Sequence, residues 1–517
     1  MTFLWYNKYM EDAVLIDEKE RKIKELELKI LDLEALVKYY EEQFRLAKQR
    51  QFGKSSEKTN TIEEQIGLFD EAENEADKKA KEPDIEEITY KRRKREGKRE
   101  EDLSKLPVET IEYTLPIEKQ VCPECGETMH AMSKEVRREL KVIPAEVYVV
   151  EHVRYIYSCR DCERNNTSVP IIKAEAPEPL IKGSLASPSA VAYIAVQKYV
   201  NAVPLYRLEQ GFIRDGIALS RQTMANWLIR VSDDYLTLVY DEMHKELKKE
   251  EALHADETVL QVLNEPGKNA NTNSYMWLYR TSGDTKHPIV LYEYQPTRSS
   301  SHPKKFLEGY KGYLHTDGYA GYHNLSEDII IVGCFAHVRR KFDEALKSMP
   351  KESQNGSLSE KGLNYCNELF KLERDFIDLS FEDRYKKRLE LSKPIFDDFY
   401  RWVTSVKALP KSTLGTAINY VKEQKPYLEN IFLDGRLELS NNRAERSIKP
   451  FVIGRKNWLF CNTKKGANAS SVIYSIIETA KENKLNPFKY MKFLLERLPN
   501  ISISQISELL PWNVSLK

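Results

Sequence analysis

Apolar residues recur at alternating steps of three and four from Ile23 through Leu26, Ile30, Leu33, Val37, Tyr40 and Phe44 to Ala47. That spacing lays them along one seam of a helix, with Glu, Lys and Arg filling most flanking positions. Residues 1–52 are therefore read as a coiled-coil helix that self-associates; a helix packed on its own protein is the alternative. From 53 to 105 the periodicity stops. Residues 63–87 hold eleven acids against three lysines, and KRRKREGKR at 91–99 holds seven bases against one acid. This stretch reads as a charged linker whose basic run can touch phosphates.

Strand patterning begins at 106, with alternation in Val147, Val149, Val153, Tyr155 and Tyr157. Residues 176–250 turn helical. Ser220 is placed to cap RQTMANWLIRVS, which reads either as the second helix of a DNA-binding helix-turn-helix or as an ordinary amphipathic helix. From 251 to 349 the order is three strands, a helix, a strand, a helix and a strand, an α/β arrangement with the later strands parallel. Helices alone are predicted over 350–435. The last part, 436–517, carries a short helix that Ser440 can cap and Pro450 ends or kinks, then two helices broken at Asn486-Pro487.

Composition changes this picture in two ways. Lys plus Arg total 80 and Asp plus Glu total 80 in 517 residues, so a uniformly polycationic DNA-coating protein is excluded. The 41% hydrophobic content supports several cores, three or four domains at ~150 residues each. The longest apolar run, near Ile329 to Val338, already contains His337 and falls far short of the ~20 residues of a membrane span. The opening MTFLWYNKYMEDA lacks the features of a secretory signal. A soluble, cytoplasmic protein without membrane contact is expected.

Four of the seven cysteines form two C-x-x-C knuckles, Cys122/Cys125 and Cys159/Cys162. Two such knuckles complete a tetrahedral four-thiolate zinc site, closed to substrate and therefore structural. The 33 residues between them read as a β-hairpin, so 106–175 is a small β zinc ribbon. Cys334, Cys366 and Cys461 default to buried thiols.

Asp256 lies in the first strand of the α/β region and Asp317 ends the fourth, each two residues after a histidine, His254 and His315. Residues i and i+2 of a strand share a face, so each aspartate sits beside an imidazole while Glu257 points away. In SNNRAERSIKP, Asn441, Glu445 and Lys449 fall on one helix face. Two strand aspartates and a helix glutamate that converge could hold two magnesium ions, suited to phosphodiester chemistry.

The strings HADET, HTDGYAGY, GCFAHVRRKF, NNRAERSIKP and GRKNWLF, in this order, resemble the transposases of the insertion-sequence-66 family. The resemblance covers nearly the whole chain. It implies a DDE transposase with a ribonuclease-H-like core, in which Asp256, Asp317 and Glu445 match the three metal-binding acids. It implies an all-α insertion at 350–435, which accounts for the gap of 128 between the second and third acids. Cys334-Phe-Ala-His337 resembles a C-x-x-H motif whose histidine positions the DNA end. This chain departs from the family in having Ser440-Asn441-Asn442 for Asp-Asn-Asn and Phe335 for Trp.

Residues 443–465 carry Arg443, Arg446, Lys449, Arg455, Lys456, Lys464 and Lys465 against the single acid Glu445, with Trp458 and Phe460 among them. Cations neutralise phosphates, and aromatics stack on an unpaired base at a cleaved end. Arg339, Arg340 and Lys341 add a second cluster. His337, Arg339, Arg340, Arg446, Lys449, Arg455, Lys456 and Trp458 are the candidate DNA contacts, with solvated helix faces and a core tryptophan as the plain alternative. The expected activity is cleavage of transposon ends and transfer of their 3′ hydroxyls to target double-stranded DNA in the bacterial nucleoid. A homodimer or larger assembly and accessory proteins encoded alongside go with it. The alternatives are a ribonuclease-H-like nuclease without strand transfer and a non-enzymatic zinc-ribbon DNA-binding regulator, a decayed element.

Overall fold

The computed structural model describes residues 171–516 apart from Ala176, residues 146–158 apart from Arg154, and eight helical positions between Lys22 and Glu41. The linker and all four ribbon cysteines lie outside the described residues. The chain divides into two units, 54–151 and the remainder. In the first, the described residues 146–151 are exposed and outside any strand. Alternation tells which residues would share a face and does not by itself make a strand. Among the described residues the first strand is β1 (Ile156–Ser158), which pairs antiparallel with β2 (Ile171–Lys173). In the N-terminal helix Leu26, Ile30, Leu33, Val37 and Tyr40 of the heptad seam are all exposed.

Among the described residues four helices lie between β2 and the main sheet: α1 (Pro188–Tyr199), α2 (Leu205–Arg214), α3 (Arg221–Val231) and α4 (Thr237–Leu247), the last two joined by a π-helical turn at Ser232–Leu236. Ser220 caps α3 by accepting from Thr223 N. Met224, Trp227, Leu228 and Val231 of α3 are buried in the core shared with the sheet, while Arg221, Gln222, Asn226 and Arg230 face solvent.

The sheet contains β3 (Ala252–Asn264), β4 (Asn273–Thr281), β5 (Val290–Gln295), β6 (Gly312–His315), β7 (Ile329–Val332) and β8 (Cys461–Thr463). Its order is β5-β4-β3-β6-β7, with β3, β4 and β5 antiparallel and β3, β6 and β7 parallel. The crossover α5 (Ser301–Phe306) separates β5 from β6. Between β6 and β7 the expected helix is only a 3₁₀ turn at Ala320–Tyr322. Six residues separate Tyr322 from Ile329, too few to cross the sheet with a longer element.

One edge of β3 is divided. Residues 252–254 pair with β6, Val262 and Asn264 pair with β8, and the stretch between has a neighbour only in β4. Helix α11 (Asn442–Trp458) covers this gap: Asn441 Nδ2 donates to Ala255 O at 2.7 Å, and Arg455 Nη1 donates to Val259 O. Unpaired strand carbonyls are thereby satisfied from the helix. Pro450 lies inside α11 and does not end it, and Asn441 rather than Ser440 occupies the N-cap position. A proline inside a helix removes one bond, here to the carbonyl of residue 446. Phe451 and Ile448 hold the helix in place by burial on either side of it.

The second core is helical: α6 (Phe335–Lys347), α7 (Leu358–Asp375), α8 (Phe381–Lys387), α9 (Lys393–Ser405) and α10 (Thr413–Leu428). Phe342, Phe396, Phe399, Val403 and Val421 are buried within it. Each contributes about 1.5–3 kcal/mol over exposure. Arg388 is 1% exposed and grips Glu373 through two bonds of 2.7 Å while donating to Asp434 O and Leu437 O. It ties the helical layer to the segment that leads back to α11. Helices α12 (Lys464–Glu482) and α13 (Pro487–Arg497) follow, with Asn486 capping the latter.

Candidate active site

Asp256 sits on β3 at the start of the divided edge, where β6 has ended and β8 has not begun. Asp317 lies two residues beyond β6, its carboxylate accepting from Tyr319 N at 3.0 Å. Gly318 makes this turn with φ +93, and a Cβ there would strike Gln424 and Tyr420. Glu445 lies in the first turn of α11. Glu257, Asp317 and Glu445 lie near enough for their charges to be felt at Asp256, while among the described residues the group whose ligand atoms lie within 4.8 Å of one another is Cys334, His337 and Glu445. Burial, followed by the neighbouring charges of Glu257, Asp317 and Glu445, holds the Asp256 carboxyl well above the usual carboxylate range.

Glu257 follows strand alternation and uses a different set of partners. Its side chain is 2% exposed, ion-paired to Arg298 and accepting from Tyr322 Oη at 2.6 Å. Burial and the Asp317 charge raise its pKa.

Behind the aspartates, His254 and His315 stack with ring centroids 4.3 Å apart, and both are fully buried. Because Asn441 Nδ2 is committed to Ala255 O, its Oδ1 accepts from His254 Nδ1 at 3.0 Å. Asn441 N in turn donates to Cys334 Sγ at 3.1 Å. Desolvation pushes His254 down to about 3 and His315 well below the usual imidazole range, so both are neutral near pH 7. Asn441 stands one helical turn before Glu445 and His254 two residues before Asp256, so one hydrogen bond links the supports of both acids.

His337 and Arg340 are brought onto Glu445. Arg340 Nη2 donates to Glu445 Oε2 at 3.2 Å, and His337 Nδ1 lies 3.8 Å from Glu445 Oε1. Cys334, His337 and Glu445 offer ligand atoms within 4.8 Å of one another. The thiol is pushed up to about 12 by burial and already accepts from Asn441 N, which makes it a poor ligand beside the Arg340 guanidinium.

The remaining candidate contacts separate into two groups. Arg446 and Lys456 are exposed. Arg339 donates to Asn367 Oδ1, Lys449 is half-buried, and Arg455 is bound to Val259 O and Thr258 Oγ1. Trp458 packs edge-on against Phe451, with the Lys198 ammonium 5.0 Å from its ring. The sequence reading placed Asn441 on the Glu445 helix face and Arg443 among the cations but did not give their hydrogen-bonding roles, and it missed Glu438 altogether. Glu438 accepts from Arg443 Nε at 2.7 Å and its amide donates to His315 Nε2 at 3.4 Å. The paired asparagines of SNNRAER were the available signal for Asn441.

A central mixed sheet with helices packed on it, beside a second helical core, defines an α/β protein. The model of the Transposase IS66 family matches residues 183–469, more than half of the chain, and the chain belongs to that family. The zinc-finger binding domain of transposase IS66 matches 119–163, spanning all four ribbon cysteines. The IS66 C-terminal element matches 475–512, and Transposase C of IS166 homeodomain, a leucine-zipper model, matches 39–111. Among similar proteins of Sinorhizobium fredii (strain NBRC 101917 / NGR234), the uncharacterized protein y4qI is 32% identical over 77% of this chain and 74% of its own length. The uncharacterized protein y4hP is 30% identical over 76% and 73%. The protein is a transposase of an insertion sequence, with zinc-binding and coiled-coil segments, and its family implies a divalent cation. Among the described residues no helix is long and apolar enough to cross a membrane.

Proposed function

We propose that the chain is a DDE transposase with a ribonuclease-H-like core that cleaves transposon-end phosphodiesters and transfers the 3′ hydroxyls to target double-stranded DNA. The observation that carries this reading is the placement of the acids: Asp256 in β3, Asp317 two residues beyond β6, the strand paired beside it, and Glu445 in the first turn of α11, whose Asn441 cap donates to Ala255 O of β3. Half-buried carboxylates set against one another call for a cation, and oxygen donors of this kind fit magnesium. Asp256, Asp317 and Glu445 would hold two such ions, and Cys122, Cys125, Cys159 and Cys162 one structural zinc. When bound, paired magnesium supplies activation of the attacking oxygen and stabilisation of the leaving one.

The protein's own residues set the geometry. Asn441 and His254 fix the start of α11 against β3, and His315 fixes the end of β6 beside it. Arg340 neutralises Glu445 in the ion-free state and, once released from it, is placed to meet a phosphate. Arg446 and Lys456 present charge to the DNA backbone. Two ends held together fit a dimer joined through the exposed N-terminal seam.

Asp317→Ala tests this reading on end-bearing duplex DNA with magnesium. Strand cleavage should vanish while end binding persists; full cleavage by the variant would contradict the assignment. Joined product from the wild type separates a transposase from a nuclease.

A further inference from the structure

The turn between α11 and β8 carries two apolar side chains into solvent: Leu459 is 63% exposed and Phe460 42%. This turn is anchored on both sides. Trp458 is packed on Phe451 before it, and Cys461 is buried beside Val262 of β3 after it. Leu459 N donates to Arg455 O at 2.7 Å and Phe460 N to Trp458 O at 2.9 Å. Leu459 has φ +67, a conformation that leucine seldom adopts and that turns the two side chains away from the core.

The surroundings are cationic. From 446 to 477 there is no Asp or Glu, and Lys456, Lys464 and Lys465, all exposed, flank the tip. Among the described residues none of these three lysines is paired with a carboxylate. A hydrophobic protein partner would be met by a neutral rim; unpaired lysines around an apolar tip suit the faces of bases held between phosphates. β8 joins β3 six residues beyond Asp256. The tip precedes Cys461 and so lies level with residues 260–261 of the parallel β3; at about 3.3 Å per residue it is ~15 Å from Asp256 along the strand, or about four to five steps of ~3.4 Å along a duplex.

We propose that Leu459 and Phe460 form a wedge that contacts unstacked bases of the bound DNA end about four to five base pairs from the cleaved bond, with Lys456, Lys464 and Lys465 on the flanking phosphates. This rests on the DNA-processing reading above and assigns base contact to the Leu459–Phe460 pair rather than to Trp458.

The test uses the full-length protein and duplexes carrying the DNA that borders its coding region, with 2-aminopurine placed at successive positions. The wild type should raise fluorescence near the fourth or fifth position from the cleaved bond. Leu459→Ala/Phe460→Ala should abolish the rise and weaken end binding about tenfold, with the salt dependence of binding unchanged. Both side chains are exposed, so the thermal midpoint should hold. Lys464→Ala/Lys465→Ala should flatten the salt dependence and keep the rise at saturation. A rise that survives the Leu459→Ala/Phe460→Ala change overturns the wedge alone. A benzophenone side chain at position 460 that crosslinks to protein and never to DNA does the same, and assigns the tip to a protein contact. A wild type with no affinity for duplex DNA overturns the underlying reading as well.

Discussion

His254 and His315 stack at 4.3 Å with their planes 11° apart, each two residues before an acid of the candidate site. They are register partners on adjacent parallel strands. Their contact fixes β3 against β6, and the bond from His254 to Asn441 extends the same support to α11. Asn441→Leu removes the partner of His254 Nδ1 and Ala255 O, leaving two buried groups unsatisfied. The expected cost is about 2–4 kcal/mol in urea unfolding. The variant should also need more magnesium for half-maximal cleavage, a shift that global destabilisation alone does not produce below the unfolding transition.

Asp256 and Glu257 are adjacent acids with different partners. Glu257→Gln keeps a hydrogen-bond acceptor for Tyr322 and loses only the pairing with Arg298. Cleavage should remain within about tenfold of wild type, whereas Asp256→Asn should lose about a thousandfold or more. Single-turnover rates on one substrate distinguish them. Comparable losses in both would place Glu257 in the metal site.

Much of this arrangement was legible in the sequence, because a strand's two-residue repeat separates Asp256 from Glu257 and the helical four-residue step links Asn441 to Glu445. The extent of α11 was not. Pro450 reads as an end or a kink, and burial of Ile448 and Phe451 on either side of it goes with a helix that continues to Trp458. Alternation in Val147–Tyr157 similarly over-predicted strand, since period tells which residues share a face and not whether a partner covers it. Trp458 among cations looked like a stacking residue, yet its ring is packed on Phe451 and Lys198. Cationic spacing in α11 was visible, but not that Arg455 completes the β3 edge.

Arg388 is the buried cation of the helical layer. Arg388→Met strands the Glu373 carboxylate and frees two carbonyls, with an expected loss of about 3–5 kcal/mol. Arg388→Met/Glu373→Leu should recover part of that loss. Urea midpoints of the two variants check this, and equal midpoints would contradict it.

Glu293 supplies a pH dependence away from the acids. Burial pushes its carboxyl up to about 7 from an ordinary value of 4.5. With the folded value above the unfolded one, its stabilising contribution is complete below about pH 4.5 and is lost as pH rises through 7. Glu293→Gln removes the titration. Relative to wild type the variant should gain about 1–3 kcal/mol between pH 5 and pH 8, measured by urea unfolding. A difference that does not change with pH would contradict the shift.

The central claim is that Asp317 binds a catalytic cation together with Asp256 and Glu445, and a ligand swap tests it most directly. Asp317→Cys replaces a hard oxygen donor with sulfur, which accepts manganese more readily than magnesium. DNA-end cleavage by this variant should be absent with magnesium and restored with manganese, while Asp317→Ala stays inactive with both. Equal activity of Asp317→Cys and wild type in magnesium would contradict the claim.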